Sequence, residues 1–163
     1  MATAFKGSDA HMQILDGNSY LNQHDVRAML TRIFGFGGWS EIAVEPTTLV
    51  FEDLDTTVGG KGNERPGVSV CYIAHRRLII YSPHGMEVCR HDGTGTHTAT
   101  MGIRARGDAH DSAAKSADSA ALKRAAINLG DQFGLGLYNN GSTDPLVKRL
   151  VLDADSDVEA ATE

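Results

Sequence analysis

Lys123 and Arg124 are adjacent cations in the segment Ser119-Ala-Ala-Leu-Lys-Arg-Ala-Ala-Ile-Asn-Leu-Gly-Asp-Gln-Phe-Gly-Leu-Gly-Leu-Tyr138. Read as a helix at about 100° per residue, the segment gathers Leu122, Leu129 and Phe133 on one side, with Ala125 and Ala126 beside them. Lys123 and Arg124 project elsewhere, flanking the side that carries Ala120 and Ile127. Two cations on a face that the core does not use suit a run of phosphates, and they suit an ordinary solvated face equally well. Local spacing alone does not choose between the two.

Covalent chemistry is tested by what is missing. The sequence has no G-x-x-x-x-G-K-[ST] phosphate loop, so ATP-driven strand exchange of that kind is not expected. Gly35-Phe36-Gly37-Gly38 follows no strand and precedes Trp39, which does not support a dinucleotide fingerprint. Neither a G-x-S-x-G elbow nor H-E-x-x-H occurs. His84, Cys89, His91 and His97 invite comparison with zinc ligands, but their spacings are not the paired, turn-defined ones zinc sites use. Surface histidines on a sheet are the plainer reading. No acidic cluster with metal-ligand spacing sits beside the basic segment, which argues against a metal-dependent nuclease. The expectation is a non-enzyme with no cofactor and no essential metal.

Charge is unevenly spread. The net charge is -6, yet five acids and no base lie beyond Leu150, which leaves -1 for the rest. Between Lys61 and Arg124 ten Lys/Arg face six Asp/Glu. A basic centre with an acidic tail is a layout of nucleic-acid binders. Met1 to Asp9 lacks the order of a signal peptide, no run of about 18 apolar residues exists, and Cys71 and Cys89 read as reduced thiols. A cytoplasmic protein is expected.

The elements that must position these residues follow from periodicity. Val26, Met29, Leu30, Ile33 and Phe34 form one apolar stripe, predicting a helix over 23–34 capped by Asn22 and ended by Gly35. Leu21 is placed to staple onto Val26. Strand character follows at 40–44, 47–51, 68–81 and 86–91, with a Gly-rich loop (Gly59, Gly60, Gly62) and the turn Ser82-Pro83-His84-Gly85 between. A second helix is expected from Asp108, as its cap, to about Phe133, and a last short one at Asp144-Pro145. The class is α+β: an antiparallel sheet packed on a long helix, preceded by an amphipathic helix. The expected layout is an arm over 1–18, a DNA-binding domain over 19–150, and a disordered acidic tail over 151–163.

Two motifs carry a resemblance. Tyr20-Leu-Asn-Gln-His24, the first helix, and Phe34-Gly-Phe-Gly-Gly-Trp39 resemble the opening of the Rad52/Rad22 family of single-strand annealing proteins. Gly107-Asp-Ala-His-Asp-Ser-Ala-Ala-Lys115, Ser116-Ala-Asp-Ser-Ala-Ala-Leu-Lys-Arg-Ala125 and Phe133-Gly-Leu-Gly-Leu-Tyr138 look like its bacterial and phage branch. The resemblance spans Tyr20 to Tyr138. It implies a ring of subunits with a basic outer groove, in which single-stranded DNA is held by its phosphates while its bases meet a complementary strand without ATP. Strand annealing in homologous recombination and break repair is the implied activity. A DNA-end protector of the same fold and an oligomeric scaffold without DNA are the alternatives.

Carried over by position, Lys123 and Arg124 match a groove-lining Lys-Arg pair, and Arg104 and Arg106 match a Lys-x-Lys of a second, outer DNA site. Phe36 stands where many members have a DNA-contacting Tyr. Asp25 and Ile127 stand where eukaryotic members carry DNA-contacting Arg, so Arg27 and Arg32 are candidate substitutes, and Lys115 joins the list. Regions that contact a recombinase and a single-strand-binding protein in eukaryotic members have no counterpart in this sequence, so the resemblance does not imply those contacts. A host or phage single-strand-binding protein is kept as a candidate partner.

Overall fold

The computed structural model describes residues 12–15, 18–138 and 146. The expected helix at Asp144-Pro145 and the acidic tail lie outside the described residues.

The first described elements form a hairpin that the sequence reading did not anticipate. Strands β1 (Met12–Leu15) and β2 (Asn18–Leu21) pair antiparallel. Helix α1 follows at Gln23–Phe34, the span its stripe predicts. Val26 and Leu30 are buried, while Leu21, Met29 and Phe34 pack against the same cluster. Two details differ. Ile33 is 47% exposed, because the neighbouring elements cover only part of the stripe. Asn22 occupies the cap position without a side-chain hydrogen bond to the helix. Gly35 ends α1 at φ 81°, where its N–H donates to the Thr31 carbonyl.

Three long strands make the main sheet: β3 (Trp39–Asp53), β5 (Arg65–Tyr81) and β6 (Glu87–Gly102). The short β4 (Thr57–Val58) pairs with the first residues of β5. β5 is central, antiparallel to β3 on one side and to β6 on the other. The two strands expected at 40–44 and 47–51 are therefore one, bent by register shifts between Ala43 and Phe51. Pro46 fits there because β3 is an edge strand. β6 runs past His91 to Gly102; its Gly and Thr residues carry no apolar alternation, so periodicity stopped short.

Alternate residues of β5 (Val68, Val70, Ala74, Leu78, Ile80) are buried against helix α2, Arg106–Ala126. α2 begins two residues before Asp108, through a 3-10 turn at Ile103–Ala105, so Asp108 lies in its first turn and does not cap it. It ends at Ala126, not near Phe133. Short 3-10 turns continue to Tyr138, broken by Gly130 (φ 114°) and Gly134 (φ 90°), conformations a helix does not contain.

The packing of α2 is unusual in having almost no side-chain bulk. Ala109, Ala113, Ala117, Ala121 and Ala125 repeat every four residues and are all buried. Opposite them on β6 stand Gly93 and Gly95. A Cβ on Gly93 would lie 2.1 Å from the Ala121 carbonyl oxygen, and one on Gly95 2.4 Å from that of Ala117. Helix and strand therefore meet backbone to backbone.

Candidate nucleic-acid interface

The core divides along α2 into two ends. At the carboxy-terminal end, Leu122, Ala125 and Ala126 pack with Leu78, Ile80, Val26, Leu30 and Phe133. Phe34 and Trp39 join the same cluster, so α1, the turn after it and the end of α2 are neighbours. At the amino-terminal end, Ala109 and Ala113 pack with Val68, Val70 and Ala99. With 21 residues in α2, the two ends stand roughly 30 Å apart.

The candidate cations sort onto these two ends. Lys123 and Arg124 lie in the last turn of α2, Lys123 partly exposed and Arg124 exposed. Their neighbours Leu122, Ala125 and Ala126 are fully buried, so the core uses the other side of the helix, as the periodicity requires. Arg32 is exposed in the last turn of α1, and two residues beyond that helix Phe36 is 96% exposed. An aromatic ring left almost wholly in water is a surface on which a base can stack. Arg104 and Arg106 are exposed at the opposite end. Among the described residues, the side chains of Arg32, Arg104 and Arg124 make no ion pair.

Arg27, Lys115 and Arg106 are engaged within the chain. Arg27 donates to Glu41 and lies with its guanidinium 6.0 Å from the Trp39 ring centroid. Glu41 also lies 3.8 Å from Arg76 Nε, and Arg76 reaches Asp118 of α2 at 2.7 Å, with Thr47 donating to the same carboxylate at 2.6 Å. Arg27 is thus one end of a polar bridge that joins α1, β3, β5 and α2. Lys115 pairs with Asp111 one turn earlier at 2.7 Å, both largely exposed, a pair that a phosphate can replace at little cost. Arg106 forms a two-bond fork with Glu52 at 2.6 and 2.9 Å.

Glu52, Glu41 and Asp118 went unnoticed in the sequence because their partners are distant. Glu52 and Arg106 are 54 positions apart, and no local spacing signals such a pair. Among the described residues no cluster of His, Cys, Asp and Glu is arranged to hold a metal ion. Cys89, His91 and His97 lie on the helix-facing side of β6, opposite Ile80, Leu78 and Tyr72. No helix among the described residues is long and apolar enough to cross a membrane.

The family model of the Rad52/22 family double-strand break repair proteins matches residues 6–148. The chain belongs to this family. Membership joins the α+β core to double-strand break repair and recombination, and it covers both ends of α2 with their cations. Among curated proteins no individual sequence matches the chain.

Proposed function

We propose that this chain binds single-stranded DNA by its phosphates and anneals complementary strands without ATP, as a homo-oligomer. One observation carries the proposal: the Lys123–Arg124 pair stands on the side of α2 away from the core, at the same end as the exposed Phe36, in a chain of a break-repair family. Holding a strand by its backbone leaves base edges free to pair, and neutralising phosphates lets two polyanions approach. Lys123, Arg124, Arg32 and Phe36 form the principal contact. Arg104 and Arg106 form a second one roughly 30 Å away along α2.

The test is strand annealing with labelled complementary oligonucleotides, run with and without ATP and EDTA. Annealing is expected in all conditions at similar rates. A chain that binds single strands without pairing them is an end protector. One that binds none is a scaffold, and cleavage that EDTA abolishes makes it a nuclease.

Oligomerisation is supported by the sheet. β3 is an edge strand on which Ile42, Val44, Val50 and Phe51 are each 45–56% exposed. A long apolar edge of this kind invites pairing unless another subunit covers it. Gel filtration with light scattering is expected to show a species far above 17.4 kDa, more than ten subunits if a ring of the family's kind closes. A monomer at micromolar concentration in modest salt overturns the ring.

A further inference from the structure

Arg106 is held in a network of four side chains from three elements. Its Nε and Nη2 donate to the two carboxylate oxygens of Glu52 on β3. Glu52 Oε1 also lies 3.1 Å from Nε2 of His110, one turn further along α2. His110 Nδ1 lies 3.0 Å from the Tyr72 hydroxyl of β5, and the two rings meet edge to face at 5.9 Å. A carboxylate only accepts, so Nε2 carries the proton, and in a neutral ring Nδ1 then accepts from Tyr72. Every member of the chain has its partner. The Arg106 guanidinium holds the Glu52 carboxyl below its ordinary range, so Glu52 is charged at neutral pH.

The consequence is electrostatic. An arginine forked onto a carboxylate keeps its charge, but the pair it forms presents no net charge to a polyanion. Beside Arg104, which makes no ion pair among the described residues, the charge of Arg106 is therefore balanced by Glu52 in the free protein. The Glu52 side chain is 19% exposed and Arg106 53% exposed, so the guanidinium can swing outward while the carboxylate stays. When it does, Glu52 keeps the N–H of His110, fixed by Tyr72, and is not left bare in a partly buried site.

We propose that Glu52 is a brake on the Arg104–Arg106 contact: it competes with phosphate for Arg106 and keeps DNA held there loosely enough to leave. His110 and Tyr72 are the positioning residues that keep the carboxylate in place. The inference rests on the proposed DNA-binding function and adds regulation to one of its two contacts. An annealing protein must release what it pairs, and a weak second contact beside a strong first one meets that need.

The test compares wild type, Glu52→Gln and Glu52→Gln/Arg106→Gln in fluorescence anisotropy with a single-stranded oligonucleotide across a salt series. Circular dichroism and light scattering on the same samples monitor fold and assembly. Glutamine keeps the length of Glu52 and removes its charge, which frees one cation per subunit. Glu52→Gln is expected to steepen the log–log salt slope by roughly 0.7 per contacted subunit. At about 0.15 M salt that corresponds to roughly fourfold tighter binding per contact, taking the gain to vanish at about 1 M. The double variant removes the cation that Glu52→Gln frees and is expected to lose that gain, binding no more tightly than wild type. It also decides the matter by itself: a folded double variant that binds as tightly as Glu52→Gln shows that the gain does not pass through Arg106 and overturns the brake. Wild-type affinity and slope in folded Glu52→Gln overturn it too. If wild type binds, and loses binding on Lys123→Ala/Arg124→Ala, the proposed function survives that failure. A wild-type chain that binds no single strand removes both.

Discussion

A Lys123→Ala/Arg124→Ala variant is expected to lose single-strand binding at physiological salt, and with it annealing, while keeping its fold and its oligomeric state. The physical basis is repetition. Removing two cations from every subunit of an oligomer takes many phosphate contacts from one continuous strand at once. Each lost contact also lowers the log–log salt slope by roughly 0.7 for single strands. Residual binding should therefore be both weaker and less salt-dependent. The fold should survive because the packing at this end belongs to Leu122, Ala125, Ala126 and Phe133, all 2% exposed or less. A scaffold role gives the opposite pattern: no DNA binding in the wild type, and an oligomer that falls apart in the variant. Anisotropy across a salt series, with light scattering on the same samples, separates the two. An intact variant that binds with the wild-type slope removes both residues from the mechanism.

The second large effect is on stability. Gly95→Val is expected to destabilise the fold severely, because the first added carbon already meets main-chain atoms, the Ala117 oxygen and the Ala121 nitrogen, at 2.4 Å. Overfilling a packed core costs about 1–3 kcal/mol when side chains can yield. Here backbone must move, so a cost of about 3 kcal/mol or more is expected. At about 2–4 °C per kcal/mol for a chain of this size, the melting temperature should fall by about 6 °C or more. Gly107→Ala is the control: an added Cβ meets nothing within 4 Å in the first turn of α2, and alanine should stabilise the helix by about 0.5–1 kcal/mol. Thermal melts followed by circular dichroism read both. If Gly95→Val melts with the wild type, the close approach of α2 to β6 is wrong.

How much of this was legible in the sequence depends on the range of each signal. α1 was readable to the residue because Val26 and Leu30 repeat at helical spacing and Gly35 closes it. The side of α2 that carries Lys123 and Arg124 was readable for the same reason. The second half of β6 was not, because Gly93 and Gly95 owe their places to a helix that follows later in the chain. The hydroxyls of Thr94 and Thr100 answer His75 and Ser69 on β5, partners set by register. The site divides the same way. Its cations stand out by type and motif, whereas the acids that occupy Arg27 and Arg106 come from β3 and become visible only when the strand is laid beside the helices.

The alanine and glycine seam under α2 has a meaning in conformational entropy. A helix docked through leucines restricts rotamers at about 0.5–1 kcal/mol per side chain, and that loss grows with temperature. Five alanines facing two glycines have no rotamers to lose. Along this seam the strand β6 and the helix are therefore held together with little ordering of side chains. Main-chain contact at this seam, together with Leu122 packed on Leu78 and Ile80, fixes the position of Lys123 and Arg124 relative to the sheet. In the proposed oligomer each copy would then present its cations at the same height above its sheet, which is what a strand passing from one copy to the next requires.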